Sequence, residues 1–396
     1  MATKNDMPLA RFSILNLARA RSGPTAVRQL ADWGAKVIMV EMPPAIDGGD
    51  PFGFDRHGCD FQNLRRNCRS MTLNLKCEEG KEIFFKLTET ADVVVENWRP
   101  DVKHRLGVDY ESLRKVNPRI VYASVSGFGQ DGPYRSRPGL DQIAQGLGGI
   151  MSVNGKPESG PVRVGIPIAD LTAGHFLAQG ILIALLEREV SGEGQWVYTS
   201  LLEAQIAMMD FQAARWLMRG EVPKQVGNGH PIAAAVELFP TADGELNIQA
   251  SGDPLFKRLC VTLGAPEMVD DPDYADRHKR LENRDELDGK IGELTRKFTS
   301  AELIEMLNQA GVPCGPVYTV DQVFADPQVK HLAMDPTVEH ATLGTYKVVG
   351  QPIHMSRTPQ HMRNATPELG EHTEAVLAEI GYDGDAVAGL RQRAVI

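Results

Sequence analysis

The chain is poor in the features that mark several common classes of protein. Its five cysteines, Cys59, Cys68, Cys77, Cys260 and Cys314, are odd in number and form no Cys-x-x-Cys pair. Neither a disulfide framework nor a zinc knuckle is suggested. The ten histidines include no His-Glu-x-x-His and no His/Asp pair at ligand spacing, so no metal site is expected. There is no Gly-x-Ser-x-Gly elbow for a hydrolase serine, and Cys314 has only its place between Pro313 and Gly315 to recommend it as a nucleophile. The longest strongly apolar run, Ile181–Leu186, is too short to span a bilayer. The first residues lack the apolar core of a secretory signal, and the expected address is the cytoplasm. No Lys/Arg block interrupts a net charge of −10. Nucleic acid and anionic membranes are therefore poor partners, although scattered cations can still make a local anion site.

What is present begins with length. At 396 residues, 42% of them hydrophobic and 24% charged, the chain is an ordinary globular protein with more residues than one core usually holds. Phe12–Leu17 reads as a strand, Ser22–Trp33 as a helix closed by Gly34, and Lys36–Glu41 as a second strand. That order is a βαβ unit of a parallel sheet. The alternation continues with strands at Ser70–Leu75, Asp92–Glu96, Ile120–Ser126 and Gln195–Ser200, after an Asp47–Leu64 loop rich in glycine and aromatics. Gly127–Gly132 matches Gly-x-Gly-x-x-Gly after a strand, but Pro133 follows and no helix starts there. Together with the Ala18–Thr25 turn, which is not a triple-glycine turn, this argues against a dinucleotide site. Leu201–Met218 reads as one long helix and Gly220–His230 as a linker. A hairpin at Ala234–Gln249, charged helices to Gln309, strands at Thr337–Glu339 and Tyr346–Val349, and a final helix at Thr373–Ile380 complete the pattern.

Carboxylates remain as candidates for chemistry. Leu171–Arg188 has apolar residues at helical spacing, which puts Asp170 at the N-cap. Such an acid is either a cap alone or a carboxylate kept ionised at the positive helix end and available for attack. Asp141 lies upstream in Arg137–Gln142, separated from Asp170 by Gly146-Leu147-Gly148-Gly149. It is either a solvated loop acid or a second acid of the same site. The glycines are either turns or a source of N–H donors for an oxyanion. Local pattern leaves these alternatives open.

Several segments together resemble the class III CoA-transferases. They include Ser22–Glu41, Arg65–Lys81, Glu96–Pro133, Arg137–Gly149 and Gly165–Gly174, in the family's order, and Gly227–Pro231, Phe239–Glu245, Asn283–Leu287, Ala310–Val317 and Gly370–Tyr382 carry the likeness to the C-terminus. The resemblance implies an enzyme that moves CoA from an acyl-CoA thioester to a carboxylic acid, with Asp170 as the nucleophile. It implies that Asp141 and Gln145 assist Asp170, and that Arg69, Lys76, Asn97, Trp98, Arg99 and Arg105 hold CoA. CoA enters as substrate, with no tightly bound cofactor.

Departures from the family refine this expectation. Related α-methylacyl-CoA racemases have a Gly-His-Asp motif whose histidine takes the α-proton. Here the match is Gly139-Leu140-Asp141, which disfavours the alternative of an acyl-CoA racemase or isomerase. Arg21 stands where formyl-CoA transferase has Gln, so Arg21, with Arg19, is expected to pair with a second carboxylate of a dicarboxylate such as succinate. The glycine-run loop of formyl-CoA transferase is absent, which disfavours oxalate. The implied fold is α/β: a Rossmann-like large domain from residues 1–219 and 340–396, a linker at 220–230, and a smaller α+β domain at 231–339. The implied assembly is an interlocked homodimer.

Overall fold

The computed structural model describes residues 7–46 and 55–396, so part of the expected Asp47–Leu64 loop lies outside the described residues. The chain divides into two compact units. One gathers residues up to Gly149, Val164–Ala213 and Lys330–Ile396; the other holds Ile150–Arg163 and Ala214–Val329. The expected bounds differ from these in three places. They ran the large domain on to residue 219, past Ala213, they put 150–163 in it, and they returned the chain to it at residue 340.

The larger unit is built on six parallel strands: β1 (Ser13–Asn16), β2 (Lys36–Glu41), β3 (Cys68–Thr72), β4 (Val93–Glu96), β5 (Val121–Ser126) and β6 (Trp196–Ser200), in the order β3-β2-β1-β4-β5-β6. β4 and β5 are buried along their whole length, as strands covered on both faces must be. The helices of the unit's N-terminal part are α1 (Ser22–Ala31), α2 (Cys59–Leu64), α3 (Glu78–Thr88), α4 (Pro100–Leu106), α5 (Tyr110–Leu113) and α6 (Asp141–Leu147). After α7 (Ile150–Val153), which belongs to the other unit, come α8 (Ile168–Ser191), α9 (Leu201–Ala207) and α10 (Asp210–Arg219). The strand order reverses between β1 and β4. In an open parallel sheet this is where a crevice opens at the carboxyl ends of the strands.

Helix α8 is the longest element, about 36 Å at 1.5 Å per residue. Ala169, Ala173, Leu177, Ile181, Ala184 and Leu185 line its buried face and join the cluster that includes Ala26 and Leu30 of α1 and Val121 and Val125 of β5. A Cβ at Gly174 would lie 2.6 Å from the Ser22 carbonyl oxygen and 2.7 Å from Thr25 Cβ. Glycine is therefore what lets α1 lie against the first turns of α8. By length and composition alone α8 could cross a membrane, yet one face of it is core. On the other side of the sheet, α3 packs with Val376, Leu377, Leu390, Val395 and Ile396. The far C-terminus is thus part of the same unit.

Four expectations are corrected. Leu201–Met218 is two helices, broken where Asp210 adopts a positive φ of 40°. The expected loop at Asp47–Leu64 ends in α2, and the strand expected at Tyr346–Val349 is Gly344–Lys347. Thr373–Glu379 is not the final helix, since Gly384–Gln392 follows with Asp383 as its N-cap. The smaller unit carries the expected hairpin as β7 (Val236–Pro240) and β8 (Glu245–Gln249), with β9 (Cys314–Pro316) antiparallel to β8. Asp243 in the turn accepts from the Ser300 amide at 2.7 Å and so fixes the turn to the helix Ser300–Gln309.

Candidate active site

At the switch point, the turns after β1 and β4 are tied to one another. Asn97 Oδ1 accepts the Arg19 amide at 2.8 Å, and Asn97 Nδ2 donates to the Arg19 carbonyl at 2.6 Å. Glu96, at the end of β4, accepts the Trp98 amide at 2.8 Å and the Lys103 ammonium at 3.1 Å. Both partners of that pair are buried, and burial pushes the Glu96 carboxyl up. Lys103 also donates to Gln130, at 2.5 Å. The Glu96–Lys103 pair therefore sets the start of α4, with Pro100 in its first turn and Arg99 at its N-cap.

The result is a cleft of about 740 Å³ between these turns. Arg19, Lys76, Asn97, Trp98, Arg99 and Arg105 line it, and Asp170 stands in its wall. These expected residues are brought together from three separate strand ends, those of β1, β3 and β4, and from the first turn of α8. Arg69 is not among the lining residues. It lies on β3 and makes two bonds to Glu379, at 2.5 and 3.1 Å. Sequence reasoning missed Lys81, Arg135 and Arg137, which add positive charge to the cleft. Arg135 pairs with Asp101 at 2.5 Å, and Arg137 lies 3.6 Å from the centroid of the Tyr134 ring. The signal was in Tyr134–Arg137, where two arginines follow a glycine loop.

Asp170 itself is not an N-cap. Pro167 takes that position, α8 starts at Ile168, and Asp170 is in the first turn. The cap comes from elsewhere in the chain. Asp141 Oδ1 accepts the Ala169 amide at 2.9 Å and the Asp170 amide at 3.3 Å. These are donors that a helix start leaves without intrahelical partners. Asp141 is buried at the first position of α6, not a solvated loop acid. Gln145, one turn on and fully buried, donates to Asp141 Oδ2 at 2.6 Å and accepts the Val164 amide at 2.9 Å. Asp141 and Gln145 thus hold the head of α8 and the segment leading into it.

This arrangement alters the charge expected on Asp170. Burial first, and then the charge of Asp141, push its carboxyl up from 3.8 to about 7. Arg21 and a hydrogen bond from the Ser22 hydroxyl pull the other way. The helix start was expected to keep Asp170 fully ionised; with its amides already serving Asp141, it does not. Ser22, a residue that sequence reasoning missed, is itself buried and lines the cleft. Arg21 forms an ion pair with Asp60 at 2.8 Å. Gly146–Gly149 does not supply an oxyanion loop, because it is the end of α6. The Gly148 and Gly149 amides bond to Ala144 and Gly146 carbonyls at 2.8 and 3.2 Å. Among the described residues, the glycines that face the cleft are Gly127 and Gly139, and a Cβ at Gly127 would meet Gly139 Cα at 2.7 Å. Among the described residues no group of three or more His, Cys, Asp or Glu could hold a metal ion.

A basic cleft with a carboxylate in its wall suits a large anionic thioester. The profile of CoA-transferase family III matches residues 9–373. The chain belongs to that family. It is 38% identical over 384 residues to the succinate–glutarate CoA-transferase of Agrobacterium fabrum, covering 94% of this chain and 96% of that protein. It is 34% identical over 397 residues to the succinyl-CoA–D-citramalate CoA-transferase of Chloroflexus aurantiacus, covering 98% of each. A solved CaiB/BaiF family protein from Brucella suis is similar with a TM-score of 0.81 at 34% identity, over 94% of this chain and 99% of that one. The protein is an enzyme of the CoA-transferase class, built on the family's α/β fold with a parallel central sheet.

Proposed function

We propose that this family III CoA-transferase works through a covalent intermediate on Asp170, with a short-chain dicarboxylate as one substrate. The observation that carries the reading is the place of Asp170. It is a half-buried carboxylate in the wall of a cationic cleft, beside Ser22, and the charges of Arg21 and Asp141, which do not themselves line the cleft, act on it. A carboxylate oxygen of Asp170 attacks the acyl-CoA carbonyl, expelling CoA thiolate and leaving a mixed anhydride. The thiolate attacks Cγ of Asp170, which releases the donor acid as its carboxylate and leaves an aspartyl-CoA thioester. The acceptor carboxylate attacks that thioester, and the returning thiolate takes the acceptor acyl group from the second anhydride. No proton is gained or lost, so the nucleophile needs no base.

Arg19, Lys76, Arg99 and Arg105 are read as the cations for the CoA phosphates, which suit guanidinium and ammonium donors. Arg69 is left out of this set because Glu379 holds it. Arg21 is read as the group that takes the second carboxylate. That both named relatives are transferases of dicarboxylates supports this. A racemase gains no support, since Leu140 cannot take a proton and, among the described residues, no histidine lines the cleft. The larger unit is read as the CoA-binding domain and the smaller as an accessory domain. A homodimer and a cytoplasmic address complete the proposal. Exposed Ile183, Leu186 and Val190 on α8 support the first, and five free cysteines support the second.

The test is peptide mass spectrometry after mixing with succinyl-CoA and quenching with borohydride. Reduction of an aspartyl thioester converts Asp170 to homoserine, and the expected mass change is confined to its peptide. An unchanged peptide across a panel of acyl-CoAs would overturn the covalent reading.

A further inference from the structure

If Arg21 receives a second carboxylate, something must hold its guanidinium before substrate arrives. The structure supplies that group. Arg21 Nη2 donates to Asp60 Oδ2 at 2.8 Å, and no sequence motif pointed to Asp60.

The two partners are held very differently. Arg21 is the N-cap residue of α1, and its side chain is only 19% exposed. The next residue, Ser22, hydrogen-bonds the Asp170 carboxylate, and α1 is held against α8 at Gly174. The cation is therefore fixed with respect to the nucleophile, and its field is felt there. Asp60 lies in the first turn of α2, and its side chain is 61% exposed. An exposed carboxylate gives up an ion pair at small cost, because water solvates it at once. A guanidinium, in contrast, accepts any correctly placed carboxylate.

We propose that Asp60 is a specificity-determining residue. In the resting enzyme its carboxylate occupies Arg21, and the remote carboxylate of a short dicarboxylate substrate displaces it. This rests on the reading of Asp170 as nucleophile and of Arg21 as the carboxylate receiver. A dicarboxylate with one end at Asp170 exchanges partners with Asp60 and keeps Arg21 neutralised. A monocarboxylate has nothing to offer Arg21 and leaves the Asp60 pair as it was. Asp60 therefore competes only with dicarboxylates, and it moderates their affinity.

The experiment measures transfer from succinyl-CoA in the wild type, Asp60→Asn, Arg21→Gln and the double variant. Glutarate serves as dicarboxylate acceptor and butyrate as monocarboxylate acceptor. Asp60→Asn is expected to lower the glutarate KM about fivefold, the effect of removing one surface competitor, with the butyrate KM unchanged. Arg21→Gln is expected to raise the glutarate KM, and Asp60→Asn is expected to change nothing in that background. A glutarate KM that stays the same or rises in Asp60→Asn overturns the role of Asp60. If Arg21→Gln still raises it, the Arg21 reading survives that result. An Arg21→Gln variant with an unaltered glutarate KM overturns both, while the Asp170 adduct reports independently on the nucleophile. Because Asp60 is exposed, a loss of fold that would confuse these readouts is checked by comparing the circular dichroism of the variants.

Discussion

Asp170 lies between opposing influences, and the balance sets when it is a nucleophile. With the carboxyl pushed up to about 7, only the ionised form above that value attacks. The rate is expected to rise with pH through about 7, read as kcat/KM for acyl-CoA. Arg21→Gln removes a charge that lowers the value, so the rising limb moves to higher pH. Asp141→Asn removes a charge that raises it, so the limb moves to lower pH. Shifts in the opposite directions would show that another group sets the limb. Asp170→Asn is expected to lower kcat by at least about 10³-fold, as loss of a covalent nucleophile does.

The same carboxyl affects stability with a defined sign. Its folded value lies above its ordinary 3.8, so the folded state binds the proton more tightly than the unfolded chain. The resulting stability is present at low pH and is lost as pH rises from about 3.8 through about 7. Asp170→Asn is therefore expected to raise Tm at pH 8, with the difference shrinking as pH falls toward the ordinary aspartate value. That an acid stood near the start of this helix was legible in the sequence. The cap was not, because Asp141 is 29 residues away and caps through a tertiary contact. Local periodicity registers only caps that come from the adjoining residues.

At the scale of elements, the site depends on α1, α6 and α8 meeting at their N-terminal ends. Asp141→Ala removes the acceptor for two amides of α8, a change that costs about 0.5–2 kcal/mol when a capping group is lost. Gly174→Ala acts on the other side of α8, where the new methyl would overlap the Ser22 carbonyl and Thr25. Overpacking of this kind costs about 1–3 kcal/mol. Because α1 carries Ser22 into the cleft and sets the charge of Arg21 near Asp170, kcat is expected to fall as well. Urea denaturation and steady-state rates on the same samples check both, and a fully active, fully stable Gly174→Ala would show that α1 has room to move. The strands of the sheet were legible from their apolar runs. The break before α10 was not, since Asp210 takes a left-handed conformation that nothing in Leu201–Met218 announces. Lys103 looks like a solvated lysine in Pro100–Leu106, and only the fold reveals Glu96 and Gln130 as its buried partners.

Across the whole molecule, the larger unit is assembled from segments far apart in the chain, and a buried ion pair joins them. Asp32, just after α1, receives Arg66 Nε at 3.0 Å and Nη2 at 2.7 Å, with both side chains almost fully buried. Arg66 Nη1 donates to the Val349 carbonyl at 2.7 Å. Asn67, left-handed at a φ of 61°, donates to Asp32 at 2.8 Å and accepts the Arg363 and Asn364 amides at 2.8 and 3.1 Å. Arg65-Arg66-Asn67 reads in isolation as a basic surface turn, since periodicity carries no trace of a partner nearly 300 residues away. Breaking one side of such a pair leaves the other charge buried without compensation, at a cost of about 3–5 kcal/mol. Asp32→Ala is expected to lose that much stability in urea, and residues 349–364 are expected to lose hydrogen-exchange protection along with α1. Asp32→Leu combined with Arg66→Met removes both charges and is expected to recover part of the loss, though not the bond to Val349. Equal losses in Asp32→Ala and in the double variant would mean that the pair acts as packing volume and not through its charge.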